Sequence, residues 1–70
     1  MDMVASVRAC KVKVLGLLTN YDRVNVLTVA AQLGERSMVV YQAVGWLVCE
    51  GKIRYEQIGN QVYLSIADGI

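Results

Sequence analysis

The chain is predicted to fold as an α+β domain in which three helices and a short strand precede a C-terminal β-hairpin. Residues 28–53 combine a short apolar helical segment, a break at Leu33 and Gly34, and a longer helical segment that ends at Gly51. Residues 52–67 then alternate polar and apolar side chains around a central Gly-Asn pair. Helix, tight turn, helix and hairpin in this order are the pattern of a winged helix-turn-helix: a three-helix core with a hairpin wing.

Length, hydrophobic content and net charge limit the size of the core and the kinds of partner that such a domain can have. Seventy residues correspond to one small domain, residues 1–70, and so short a chain has room for only a small core. The hydrophobic content is 56% and the mean hydropathy is +0.41. This apolar excess predicts that part of the surface meets a partner. The net charge is only +1, with a pI near 7.8, whereas dedicated nucleic-acid-binding domains often exceed a pI of about 9.

The side-chain inventory argues against catalysis and against cofactors. The chain has two cysteines, Cys10 and Cys49, and no histidine, which excludes a four-ligand Cys/His zinc site within one chain. It has no glycine-rich phosphate loop, and its six carboxylates are scattered. We therefore expect no enzyme activity, no metal, no cofactor and no small-molecule ligand. We also expect no signal peptide or membrane span, and a cytoplasmic protein with free thiols.

The first helix is predicted over residues 4–19. One face is apolar at helical spacing, and its members are Val7, Cys10, Val14, Leu17 and Leu18. Further apolar residues, Val4, Val12 and Leu15, lie outside this face. Two explanations remain open. The helix is either central and contacted on two sides by later elements, or partly covered by a second subunit.

The middle of the chain contains a strand and two helices. After a polar break at residues 19–23, the β-branched residues of 24–26 predict a short strand. Thr28 is the predicted N-cap of the second helix, and Gly34 is the left-handed residue that ends it. Ser37 or Glu35 is the predicted N-cap of the third helix, with Ser37 preferred, and Gly51 ends the helix.

The phase of the third helix separates a core face from an exposed face. Val40, Val44 and Leu47 share the core face with Ala43. The opposite face contains Met38, Gln42, Gly45 and Cys49, flanked by Tyr41 and Trp46.

The register of the hairpin follows from its turn. Gly59-Asn60 is a two-residue loop with glycine first, as a type II′ turn prefers. Ile58 then pairs with Gln61, and the inner face consists of Ile53, Tyr55, Val62, Leu64 and Ile66. Lys52, Arg54, Glu56, Tyr63 and Ser65 lie on the outer face. A slip of one residue would scatter this pattern. The predicted core is Val14, Leu17, Leu33, Val40, Val44, Leu47, Ile53 and Leu64.

The segment AVGWLVCEGKI, residues 43–53, resembles a family of small bacterial winged helix-turn-helix proteins of unknown function. Their shared pattern is Gly-Trp-Leu, an acidic residue and Gly-Lys-Ile, matched here by Ala43, Gly45, Trp46, Leu47, Glu50, Gly51, Lys52 and Ile53. The resemblance covers most of the chain from about residue 9. It implies the fold but no established activity. Arg36 departs from the pattern, because such proteins place a small capping residue there.

Double-stranded DNA is the first candidate partner. In this fold the N-terminal part of the third helix enters the major groove. That region offers Arg36, Ser37, Tyr41 and Gln42 as candidate contacts. Arginine pairs with phosphate or guanine, and glutamine pairs with adenine through two hydrogen bonds. A DNA-binding, transcription-related module with weak, phosphate-dominated contacts is therefore the leading hypothesis.

The predicted wing gives mixed support to DNA binding. Lys52 and Arg54 are candidate phosphate contacts, whereas the wing tip, residues 58–61, has no charge. An equally good explanation of the two basic residues is a solvated strand face that keeps the sheet edge soluble.

The second hypothesis is a dimeric protein-interaction module that keeps the fold without binding DNA. An exposed surface of Met38, Tyr41, Trp46 and Cys49 is unusual for DNA binding and ordinary for a subunit contact. Trp46 either completes the core over the first helix or the wing, or anchors a protein interface. We predict a homodimer, whose candidate interface residues are Val4, Val12, Leu15 and Trp46. The first helix is the favoured contact, and the face around Trp46 is the competing one.

Overall fold

The computed structural model describes residues 2–67 and confirms the predicted fold class. The elements are α1 (Met3–Thr19), β1 (Val24–Asn25), α2 (Val26–Leu33), α3 (Ser37–Cys49), β2 (Ile53–Ile58) and β3 (Gln61–Ile66). The three strands form one antiparallel sheet in the order β1-β3-β2. The helices cover one face of this sheet, and α1 packs along α3.

The core lies between the helices and the inner face of the sheet. Its largest fully buried side chains include Leu47, Ile53, Leu64, Val14, Val40 and Val44, all of which the sequence pattern predicts there. Leu17 and Leu33 are half-buried and pack against the edge of this core. Val39 is buried as well, outside the predicted core face, because α3 packs against α1, α2 and β2 together.

The start of α2 differs from the prediction that Thr28 is the N-cap. Asn25 occupies that position, and its Oδ1 accepts a hydrogen bond from the Leu27 N–H at 2.9 Å. Val26, predicted to end the strand, is already helical. Asparagine is at least as good an N-cap as threonine, so the chain turns directly from β1 into the helix. Thr28 instead donates its hydroxyl to the Asn25 carbonyl at 2.9 Å.

The start of α3 also differs by one residue. Ser37, predicted to be the N-cap, is the first helical residue, and Arg36 occupies the N-cap position with φ −71° and ψ 138°. Arginine has no acceptor atom for the backbone N–H groups of the first turn. Among the described residues, the Arg36 side chain therefore makes no capping hydrogen bond to the first turn of α3.

Glycines end α2 and α3 as predicted. Gly51 has φ 74°, the Lys52 N–H donates to the Leu47 carbonyl at 3.0 Å, and the Gly51 N–H donates to the Val48 carbonyl at 3.0 Å. This pair of bonds is the Schellman motif, and the same pair closes α2 at Gly34, where φ is 66°. Each glycine thus ends its helix in the left-handed conformation.

The hairpin has the predicted register. Ile58 pairs with Gln61, Tyr55 with Leu64 and Ile53 with Ile66. Gly59 has φ 61°, as the first residue of a type II′ turn requires.

Two side chains of the hairpin depart from the predicted burial. Tyr55 lies on the inner face but is 51% exposed, because its strand has a neighbour on one side only. Ser65, on the outer face, is buried, and its Oγ accepts a hydrogen bond from Arg54 Nε at 3.3 Å.

No helix within residues 2–67 is both long enough and apolar enough to cross a membrane.

Candidate nucleic-acid interface

The N-terminal half of α3 presents a continuous exposed surface. Val39, Val40 and Val44 are buried and fix the rotation of the helix against the core. The remaining side chains of this half therefore project into solvent. They are Arg36, Ser37, Met38, Tyr41 and Gln42. Of the four residues predicted to contact DNA here, Ser37, Tyr41 and Gln42 share one exposed face of α3, and Arg36 precedes the helix at its N-terminus.

Ion pairs occupy some of the basic side chains. Lys11 Nζ lies 2.9 Å from Glu50 Oε1, Arg23 lies 3.6 Å from Glu56, and Lys13 pairs closely with Glu35. The other four basic residues have no ion-pair partner among residues 2–67; they are Arg8, Arg36, Lys52 and Arg54. Arg36 alone among these four adjoins the exposed half of α3.

Lys52 and Arg54, the candidate contacts of the wing, are exposed but lie apart from that surface. Arg54 pairs with Ser65 and alternates with the buried Ile53, so its side chain lies on the sheet face opposite the helices. Lys52 follows Gly51 immediately before β2. The structure therefore groups the α3 candidates together and places Arg54 on a different surface.

Trp46 packs against α1. Its ring is half-buried, Lys11 Nζ lies 3.8 Å from the ring centroid, and Arg8 lies 5.9 Å from it. Lys11 also bonds Glu50, and this hydrogen bond holds the pKa of the Glu50 carboxyl below its usual value. The side chain of Lys11 is only 13% exposed between these partners. These contacts with Arg8 and Lys11 agree with the explanation in which Trp46 packs over the first helix.

The four predicted interface residues differ in exposure. Val4 and Val12 are 54% and 70% exposed on α1. Leu15 and Trp46 are half-buried and pack against the core. The exposed part of this candidate interface therefore consists of the two valines, and its role in a dimer stays a prediction.

A contact that the sequence did not reveal ties α1 to the turn of the helix-turn-helix. Lys13 hydrogen-bonds Glu35, which lies between α2 and α3, and this bond raises the pKa of Lys13. Nearby, burial and then the Glu35 carboxylate raise the pKa of the Cys10 thiol. Cys10 is buried, Cys49 is exposed, and both are free. Nothing in the spacing of Lys13 and Glu35 marks them as a pair, because the contact joins residues distant in sequence.

The described residues do not assemble a metal centre. Between Asp2 and Ala67, no three histidine, cysteine, aspartate or glutamate side chains lie close enough to hold an ion.

Comparisons with known proteins identify the fold of the chain but show no family to which it belongs. No protein-family model and no curated protein sequence matches the chain. The chain is similar to the crystal structure of the transcriptional regulator HlyU from Vibrio vulnificus CMCP6, with a TM-score of 0.75 and 20% identity over 84% of this chain. It spans 60% of the length of that protein. Reduced HlyU from Vibrio cholerae N16961 gives a TM-score of 0.75 at 14% identity, over 96% of this chain and 72% of the other.

These similarities agree with the order of elements and the sheet topology, and the fold is a winged helix-turn-helix. The Gly-Trp-Leu and Gly-Lys-Ile pattern remains a resemblance.

Proposed function

We propose that this chain binds double-stranded DNA through the N-terminal half of α3 and acts in transcription regulation. The main support is Arg36, an exposed cation at the start of the helix that has no carboxylate partner within residues 2–67. The two HlyU structures share this fold, and one of them is described as that of a transcriptional regulator.

The exposed side chains of α3 divide between positioning and readout. Arg36 and the hydroxyl of Ser37 lie where the backbone N–H groups of the first helical turn are free, which favours contact with a phosphate. Gln42 lies further along the exposed face and has the donor and acceptor that match the major-groove edge of adenine. Tyr41, 45% exposed, adds a hydroxyl and an apolar ring. The surface therefore offers few charges and a single side chain suited to base readout.

Such a surface binds DNA weakly and with a shallow salt dependence. In a titration of mixed-sequence duplex DNA, log K should fall with log salt at a slope of about −1 if Arg36 alone neutralises a phosphate, because each neutralised phosphate contributes about −0.9. The slope should be about −2 to −4 if Lys52 and Arg54 also contact phosphates. Arg36→Ala should make the slope shallower by about one unit. Fluorescence anisotropy with a labelled duplex measures both. Absence of binding at low salt would contradict DNA binding, and an unchanged slope in Arg36→Ala would contradict the assignment to α3.

Two further variants locate the contact. Arg23→Ala is the matched control, because it removes the same charge from a residue already paired with Glu56, and it should leave the slope unchanged. Lys52→Ala tests the wing, because Lys52 is an exposed, predicted phosphate contact that has no ion-pair partner within residues 2–67. A shallower slope in Lys52→Ala would extend the interface to the wing, and an unchanged slope would favour contact through α3 alone.

A protein-interaction module is the second candidate function, and one observation favours it. Met38 is 63% exposed beside Tyr41, on the face of α3 where DNA-binding proteins usually place polar groups. A surface with an exposed methionine and tyrosine suits a protein partner. In this case Met38→Ala would weaken assembly with that partner, while the protein would show no affinity for duplex DNA at any salt concentration.

A further inference from the structure

The outer edge of β2 is a free sheet edge. The strand order β1-β3-β2 leaves one side of β2 free, and no strand within residues 2–67 pairs with it. Its six residues pair with β3 in an unbroken register, so no bulge interrupts the edge, and the sequence has no proline. Tyr55 and Ile58 on this strand are 51% and 47% exposed. The unpaired backbone N–H and C=O groups of such an edge are a template for pairing with another chain.

The backbone hydrogen bonds determine which residues face outward. The Ala67 N–H donates to the Lys52 carbonyl at 3.1 Å, so even-numbered positions of this strand direct their backbone groups toward β3. In an antiparallel ladder the alternate residues point the other way. Ile53, Tyr55 and Gln57 therefore direct their N–H and C=O groups to the free edge. A new strand has to pair with these three residues.

This alternation limits how a second copy pairs with the edge. In an antiparallel, two-fold pairing of β2 with the β2 of a second copy, the residues whose backbone groups face the free edge must lie opposite each other. Three registers near the middle of the strand meet this condition. One places Arg54 opposite the partner's Arg54, and another places Glu56 opposite the partner's Glu56. Like charges directly opposite each other destabilise a sheet. The third register is centred on Tyr55 and places each Arg54 opposite the partner's Glu56.

We infer that the edge of β2 is a homodimer interface, paired antiparallel in the register centred on Tyr55. The segment Arg54-Tyr55-Glu56 is complementary to itself in this register, as a two-fold interface requires. Each Arg54 meets the partner's Glu56 on the outer face, and Tyr55 meets the partner's Tyr55 on the inner face. The result is a continuous six-stranded sheet with the helices of both copies on the same side.

Two contacts within the chain are compatible with this pairing. Arg54 donates to Ser65 through Nε, which leaves the other guanidinium donors available. Glu56 lies 3.6 Å from Arg23, a long and partly exposed ion pair that contributes little. The Glu56 carboxylate then lies between Arg23 and the partner's Arg54. The inference does not rest on DNA binding, and it is tested without DNA.

Charge reversal tests the interface. Arg54→Glu and Glu56→Arg each place like charges opposite each other twice in the dimer, so each variant should raise the dimer dissociation constant by roughly tenfold or more. An equimolar mixture of the two variants restores both opposite-charge contacts. We expect light scattering at several hundred micromolar to show a dimer for the unaltered chain, monomers for each variant, and a dimer for the mixture. Native mass spectrometry should identify that dimer as one copy of each variant.

Rescue by mixing excludes a folding defect, because two misfolded variants do not repair each other. The control is Val12→Glu on the exposed side of α1, which should leave the dimer intact. A monomeric unaltered chain, single variants that remain dimers, or a mixture that stays monomeric would each overturn the inference. A dimer broken by Val12→Glu and unaffected by both charge reversals would place the interface on α1 instead.

Hydrogen exchange gives a second readout. In the dimer the amides of Ile53, Tyr55 and Gln57 bond to the partner and should exchange slowly, and dilution to the monomer should accelerate them. Equal exchange rates at both concentrations would contradict strand pairing.

Discussion

Replacing Leu47 by alanine is expected to lower the free energy of unfolding by about 2–5 kcal/mol. Leu47 is fully buried in α3, where its side chain belongs to the cluster joining α1, α3 and the sheet. Alanine removes three buried carbons and leaves a cavity that so small a domain fills only in part. A domain of this size has a small margin of stability, so the loss is a large fraction of the total. Urea denaturation followed by circular dichroism measures it.

Met38→Ala is the matched control for Leu47. Met38 lies on the same helix but is 63% exposed, so its truncation should change stability by less than about 0.5 kcal/mol. A loss of similar size in both variants, or a loss below about 0.5 kcal/mol for Leu47→Ala, would contradict the orientation of α3 and with it the surface that we propose contacts DNA.

Replacing Gly51 by alanine is expected to destabilise the chain by about 1–2 kcal/mol. A Cβ at this position meets no atom within 4 Å, so the effect does not come from crowding. It comes from φ 74°, a left-handed conformation that alanine adopts only at a cost. The same urea titration measures the change.

Gly16→Ala provides the opposite control. Gly16 also has free space around its Cβ position, but it lies inside α1 with an ordinary helical conformation. Alanine there should stabilise the chain by roughly 0.5–1 kcal/mol, because it reduces the backbone freedom of the unfolded state. Two variants with the same sign would show that backbone conformation is not the cause.

Short-range chemistry explains which parts of the fold could be predicted from the sequence. The Gly59-Asn60 turn determines the register of the strands on either side of it. Gly34 and Gly51 each end a helix through their own left-handed conformation, which is a local effect. The N-cap of α2 was predicted wrongly because Asn25 and Thr28 are both good caps, and the pairing of β1 with β3 decides between them. That pairing is a tertiary contact that no local pattern contains.

The candidate site was predictable in part for the same reason. Helical phase placed Tyr41 and Gln42 on an exposed surface, because the period of an α-helix relates them directly. Tertiary packing determines the rest. The pairing of Lys13 with Glu35 and the position of Lys11 over Trp46 depend on how α1 crosses α3. The free edge of β2 depends on the strand order, which the hairpin alone does not specify.

The strand order also has a consequence for synthesis on the ribosome. β3 is the central strand of the sheet, it follows β1 and β2 in the chain, and both of these strands bond to it. Val24 therefore has no pairing partner until Leu64 has left the exit tunnel, and the nascent chain holds two unpaired strands beside its helices. A fragment that ends at Asn60 should keep its helical circular dichroism signal and bind a hydrophobic dye, and extending the fragment through Ile66 should remove that dye binding.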